Sequence, residues 1–314
     1  MCIHAVVWMI YRIFAGHPEL DISAIHRVYF GRYAGKAVDL FFLLYFAFGA
    51  FLMCRSHIAV IRVWLFPTIP IWSILLILLI LFYYTVSGGL RTINGASLWG
   101  TLAVVLCKIP LVFLLWKYLH PLNLKPLIDH TLQEFLISSK DMTLQYIGVE
   151  ALLMLYPFIK SPAKSQKWAQ LSVLVATVLY TALILITYMF FSEGQLRLLI
   201  WPTFHMYMII QLPFFQRLEY LVTSIFLVPL LANISLSLWV SCRFAKRSFH
   251  LKQWISLLVL LGGIGILGML ITNYETLQKL TKMYNTVGFY VLYAYIPILF
   301  IISQLKARRS LKTT

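Results

Sequence analysis

The chain has 314 residues, of which 61% are hydrophobic and only 11% charged, and it carries a formal net charge of +16. Soluble domains carry about 25% charged residues, so this composition excludes an ordinary water-soluble globular protein and puts much of the apolar surface against lipid. The positive charge is spread among loops rather than gathered on one element, which argues against a nucleic-acid partner and for the basic inner loops of a membrane protein.

Residues 1–15 (MCIHAVVWMIYRIFA) are apolar but short, with no loop before them. They lack the basic start and small-residue cleavage site of a signal peptide, and they read as a cut transmembrane helix whose beginning lies upstream. Residues 16–36 form a polar inner loop, in which Asp21 can cap a short helix with an apolar face of Ile22, Ile25 and Val28. Longer apolar runs follow at 37–54, 71–86 and 98–119, with a tight glycine-containing inner turn expected over 84–97. Residues 120–141 form an outer loop with a short helix expected over 127–137.

Residues 142–158 (MTLQYIGVEALLMLYPF) are an interrupted apolar segment, and further runs occupy 169–191, 221–241, 255–272 and 286–302. Between them, 193–220 is an outer stretch of aromatics and prolines suited to an interfacial or lid helix. A hydrocarbon layer of about 30 Å takes roughly 20 helical residues to cross, so the pattern predicts about nine crossings. The runs do not alternate as barrel strands would, and backbone groups in lipid must be paired internally. The expected fold is therefore all-α: a polytopic helical membrane protein forming a single transmembrane domain over 1–314. With the first segment ending inside, the inner loops hold the larger share of Lys and Arg, which places the C-terminal tail, 303–314, in the cytoplasm.

Function must be read from what interrupts the apolar runs. Glu150 stands at membrane depth, where a carboxylate costs at least about 2.5 kcal/mol and usually faces a cavity or a partner. Gly148 and Pro157 flank it and suggest a discontinuous helix, whose freed backbone groups can bind the charged ends of a ligand; Tyr156 lies in the same segment. The alternative is that Glu150 lies near the outer end and simply reaches water. Lys108 falls inside the 98–119 run, where it can pair with a carboxylate or snorkel to an interface. Asn233 could line a polar path or act as interhelical glue. Tyr45 is a possible pocket wall or a packing residue. Arg217 and Glu219 lie at an outer helix start, where Glu219 suits the helix dipole. No GxSxG, HExxH or phosphate-loop pattern appears, and the four cysteines show no ligand spacing. No catalytic residue, metal or cofactor is expected.

Four stretches carry a resemblance: FGRYAGK (30–36), GGLRTI (88–93), GVEALLMLYPFIK (148–160) and WPTF…QRLEYLVTSIF (201–226). In this order and spacing the chain resembles the spore germination B-subunit (GerAB-like) family, within the amino acid–polyamine–organocation transporter superfamily. The resemblance implies a ten-helix inverted-repeat bundle of the kind seen in leucine-transporter-like proteins, here without its first helix. It puts 142–158 on the sixth helix, one of the broken pair that builds the ligand site, and 221–241 on the eighth. It implies a germinant receptor subunit of the spore inner membrane that senses an amino acid or nucleoside beside an A-type membrane subunit and a C-type lipoprotein. A secondary amino-acid transporter and an inactive truncated family member are the alternatives. The ligand-binding set is then Gly148, Glu150, Tyr156, Pro157, Tyr45 and Asn233, with Lys108, Arg217 and Glu219 as further polar groups in or at the membrane.

Overall fold

The computed structural model describes residues 2–16, 20–125, 131–209 and 218–310. Among them every regular element is helical: α1 (Cys2–Ala15), α2 (Ile22–Trp64), α3 (Ile71–Ser87), α4 (Gly89–Leu115), α5 (Leu132–Asp141), α6 (Leu152–Leu155), α7 (Pro162–Phe190), α8 (Glu193–Leu198), α9 (Pro202–Ile209), α10 (Leu218–Phe249), α11 (Gln253–Leu270), α12 (Tyr274–Tyr290) and α13 (Ile296–Ser310). A single π-helical turn, Val291–Tyr295, joins α12 to α13.

Six helical stretches among these residues are long and apolar enough to cross a membrane: Ile22–Trp64, Gly89–Tyr118, Pro162–Phe190, Tyr220–Phe249, Gln253–Leu270 and Tyr274–Lys306. They cover most of six of the apolar runs seen in the sequence, and the other three overlap the shorter apolar helices Cys2–Ala15, Ile71–Ser87 and Val149–Phe158. The apolar helices leave large apolar side chains uncovered, among them Leu76, Ile77, Ile80, Leu106, Val178 and Val259. Exposed apolar side chains in this number are costly in water and suited to lipid. The protein is an all-helical integral membrane protein.

The chain divides into two compact units. The first comprises Met1–Leu52, Leu132–Leu174 and Leu236–Thr314. In it, α1 is tied to the start of α7 by polar bonds: Gln170 Nε2 donates to the His4 carbonyl at 3.0 Å and Tyr11 Oη lies 2.8 Å from Ser165 Oγ. Trp8 meets Phe300 of α13 at 5.4 Å between ring centroids. Asp21 caps α2 as its position suggests, accepting from Ala24 N at 2.8 Å, and also pairs with Arg247 of α10 at 2.8 Å. Ile22 and Ile25 are buried, but Val28 is half exposed. The expected apolar face ends early because the helix is broken at Gly31 (φ 84, ψ 177) and resumes as the membrane-crossing part of α2.

The second unit comprises Met53–Thr131 and Val175–Ser235. Its core gathers Leu115, Phe191, Met206, Tyr207 and Val222. Trp64 at the end of α2 packs on Phe204 and on His205 of α9, at 5.8 and 4.9 Å. The 193–220 stretch starts with two short helices; Ser192 and Gln195 form a reciprocal capping box that starts α8, and α9 follows. The expected turn over 84–97 shrinks to Gly88 and Gly89. The Gly88 N–H closes α3 on the Tyr84 carbonyl, and Gly89 takes a positive φ of 73° that a side chain would resist. Arg91, Thr92 and Asn94 are then the first turns of α4 rather than loop. The expected helix at 127–137 is found at Leu132–Asp141 in the first unit, residues 126–130 lying outside the described residues. The small-residue run LGGIGILG sits on α11, and a Cβ on Gly262 or Gly263 would meet nothing within 4 Å among the described residues.

Gly100 is a close-approach site: a Cβ there would lie 2.6 Å from the backbone nitrogen of Pro229 on α10. Overpacking of this kind costs about 1–3 kcal/mol. Gly100→Ala should therefore lower the midpoint of thermal unfolding in detergent. Gly95→Ala, whose Cβ has open space, should leave it unchanged or raise it slightly through helix propensity.

Candidate functional site: a clamped carboxylate in a broken segment

Residues 142–158 do not form one helix. A 3₁₀ turn over Met142–Gln145 is followed by Gly148 in the left-handed region (φ 113, ψ −20), a 3₁₀ turn over Val149–Ala151, the single α turn of α6, and a 3₁₀ turn over Tyr156–Phe158. Gly148 permits the break, since a side chain at this φ would be strained. A Cβ there would meet nothing within 4 Å among the described residues, so the glycine is needed for its backbone and not for crowding. Pro157 lacks an N–H and adds to the interruption of the hydrogen-bond ladder.

The break turns the Glu150 carboxylate back on its own segment. Oε2 accepts from the Gly148 N–H at 2.9 Å, and Oε1 accepts from the Tyr45 hydroxyl of α2 at 2.8 Å. Glu150 is 1% exposed, so it does not reach water. Among the described residues no Lys, Arg or His is paired with it. The Tyr45 ring stacks on Tyr284 of α12 at 4.9 Å and 26°. Two glycines let these elements meet: a Cβ on Gly49 would collide with the Tyr284 hydroxyl, and one on Gly288 would collide with Ile147 and lie 3.2 Å from the Tyr45 hydroxyl. Thr143 Oγ1 on the broken segment and Asn285 Oδ1 on α12 have no hydrogen-bond partner among the described residues, although Asn285 Nδ2 donates to the Asp141 carbonyl at 3.4 Å.

The residues singled out by sequence divide accordingly. Gly148, Glu150 and Tyr45 are in direct contact. Tyr156 is buried elsewhere, stacked on Phe14 of α1 at 4.5 Å and edge-on to Tyr11. Pro157 is exposed. Asn233 lies on α10 within the second unit. Arg217 and the side chains of Lys108 and Glu219 lie outside the described residues. Sequence reasoning passed over Tyr284, Asn285 and Thr143. Tyr284 sits in a polar, amphipathic stretch (YETLQKLTKMYNT), which resembles a surface helix more than a site wall. No group of three or more His, Cys, Asp or Glu side chains among the described residues is placed to hold a metal ion.

A deeply buried carboxylate held at a helix break by a tyrosine and a backbone N–H marks an integral membrane protein of the permease-like class, in which interrupted helices carry the polar groups. The comparisons agree. The family model described as "Spore germination protein" matches residues 1–279, and the chain belongs to that family. It is 34% identical to the spore germination protein GerQB of Bacillus cereus, over 98% of this chain and 85% of that protein. It is 21% identical to spore germination protein A2 of Bacillus subtilis (strain 168), over 90% of this chain and 78% of that one. Spore germination protein YndE of the same strain is 22% identical over 93% of this chain and 81% of its own length.

Leaving a buried acceptor without its donor costs about 1–3 kcal/mol. Tyr45→Phe should therefore lower stability in detergent by that order, read from chemical or thermal unfolding. Tyr156→Phe keeps the ring packing on Phe14 and should change the midpoint little.

Proposed function

We propose that the chain is the B-type membrane subunit of a germinant receptor, sensing a small nutrient in the spore inner membrane together with an A-type membrane subunit and a C-type lipoprotein. Membership of the germination family supports the setting. The observation that carries the sensing role is the Glu150 carboxylate, which is buried and held by two neutral donors. A buried carboxylate of this kind is complementary to a cationic group, and the adjacent tyrosine rings suit an ammonium by cation–π attraction. The unpartnered Thr143 and Asn285 oxygens offer further polar contacts. An amino acid fits this chemistry better than a nucleoside, which brings no fixed positive charge. Binding at a segment built from short 3₁₀ and α turns favours one of two arrangements of the helices, and that bias passes to the partner subunits. The C-terminal tail faces the cytoplasm in this reading.

The test is a germination assay on spores lacking the native gene, complemented with the wild type or with Glu150→Gln beside the partner subunits, across a panel of amino acids and nucleosides. Protein level in the spore membrane is measured in parallel. An amide keeps the shape but cannot ionise and loses one of the two accepted bonds. The effective germinant concentration should rise roughly 10–100-fold, the equivalent of about 1.5–3 kcal/mol. An unchanged dose–response at normal protein level removes Glu150 from the sensing site.

A further inference from the structure

A second buried carboxylate lies in the first unit, and the site just described does not use it. Asp39 on α2 is fully buried, as is His26 on the same helix. The break at Gly31 separates them in the chain. Asp39 Oδ1 accepts from His26 Nδ1 at 2.5 Å, and Oδ2 accepts from the Ser248 hydroxyl of α10. His26 Nε2 lies 2.5 Å from the hydroxyl of Tyr295, the last residue of the π-helical turn. The imidazole is stacked on Phe42, which in turn stacks on Phe244.

The cations nearby are engaged elsewhere. Arg247 pairs with Asp21, Arg27 donates to the Arg247 carbonyl and Lys306 donates to the Val28 carbonyl. Arg243 lies 4.7 Å from the ring centroids of both Phe158 and Trp239. Among the described residues none of these is bonded to His26 or Asp39, so the only proton-exchanging groups in the cluster are His26, Asp39 and Tyr295, with Ser248 as a fixed donor.

Two proton counts fit the same heavy-atom positions. With a neutral ring, Nδ1–H donates to Asp39 and Nε2 accepts from the Tyr295 hydroxyl, and the cluster carries one negative charge. With a proton added from outside, an Nε2–H bond forms and donates to the Tyr295 oxygen. The Tyr295 O–H bond stays intact and turns away, and the cluster is a neutral ion pair. Nδ1–H and both Asp39 bonds are unchanged. Tyr295 is the half-buried member of the four, which makes it the end through which a proton can arrive, and a π turn is a common device at functional positions in helices.

We infer that His26, Asp39 and Tyr295 form an internal proton-binding site that joins the two arms of α2 across the Gly31 break and reports its occupancy at the π turn. The added proton is read there because Tyr295 changes from donor to acceptor and must find a new acceptor for its own hydrogen. This site stands apart from the Glu150 reading and does not depend on it.

The experiment uses the full chain in lipid nanodiscs with 13C- and 15N-labelled histidine, the His26 signals being those lost in His26→Gln. Spectra are followed from about pH 4 to pH 9, a span that brackets the ordinary imidazole near 6.5. The expected result is a single transition at Nε2 with Nδ1 protonated throughout. Tyr295→Phe should move its midpoint without unfolding the protein. Backbone hydrogen exchange over residues 22–39 should change across the same pH interval in the wild type and lose that change in His26→Gln. A ring whose Nε2 state is constant over the whole range, or a midpoint that Tyr295→Phe leaves in place, overturns the proposal and makes the cluster a static strap. Asp39→Asn should displace or abolish the transition; should it fail to fold, Tyr295→Phe still decides.

Discussion

Within hydrocarbon there is no water to accept an unspent hydrogen bond or to solvate a charge. Much of the first unit can be understood as the way this chain meets that constraint at Glu150. A continuous helix through 148–150 would engage the Gly148 N–H in the backbone ladder and leave the carboxylate with one donor fewer. Breaking the helix frees that N–H, and the left-handed backbone at Gly148 aims it at Oε2. The remaining oxygen requires a donor from another element. That requirement brings α2 close enough for the Tyr45 hydroxyl, which in turn needs glycine at 49 and 288 so that α12 can approach. One buried carboxylate thus accounts for a break, a stacked tyrosine pair and two small residues.

Asp39 meets the same constraint by a different route. Its two oxygens are served by side chains, His26 and Ser248, rather than by backbone. Removing one partner of a buried charged pair strands the other, at a cost generally larger than the net worth of the pair. The break at Gly31 is therefore bridged by an interaction that resists being opened. The second unit shows a different kind of contact. It is held by apolar packing around Met206 and Tyr207 and by close backbone approach at Gly100 and Pro229.

Much of the architecture was legible in the sequence because it rests on composition and local signals. Apolar runs of sufficient length can only be helices in lipid, Asp21 is a good cap wherever a helix starts, and Gly148 with Pro157 interrupts any ladder. What was not legible depends on tertiary placement. Nothing local distinguishes His26, in a polar stretch near the N-terminus, from the other histidines until α10 and the π turn are brought around it. Asp39 lies only three residues into an apolar run, where it looks like an end charge reaching water. Tyr284 sits in a helix polar enough to pass for surface. Conversely, Tyr156 and Pro157 share the segment of Glu150, yet the short turns between them rotate Tyr156 onto α1 and leave Pro157 exposed. Proximity in sequence overstates proximity in space wherever a helix is broken.

The two carboxylates are not independent features of the fold. Asp39, Phe42, Tyr45 or Phe46, and Gly49 recur at the three- and four-residue spacing that lines one face of a helix, and Asp39 and Tyr45 are about 9 Å apart along the axis of α2. Asp39 meets His26 and Ser248; Phe42 meets His26, Tyr295 and Phe244; Tyr45 meets Glu150 and Tyr284. The stretch from α12 to α13 presents a matching pair, Tyr284 toward the Glu150 site and Tyr295, at the end of the π turn, toward the His26 site. Sliding α2 would disturb the hydrogen bonds of both carboxylates together, and relaxing the π turn to an α turn would disturb the contact of Tyr295 with His26, the partner of Asp39. Both are buried and neither has water to fall back on. Small displacements are therefore resisted, and a shift that occurs must reach a second arrangement in which both are satisfied again. One face of α2 therefore carries partners of both carboxylates, so the position of this helix fixes both sets of hydrogen bonds at once.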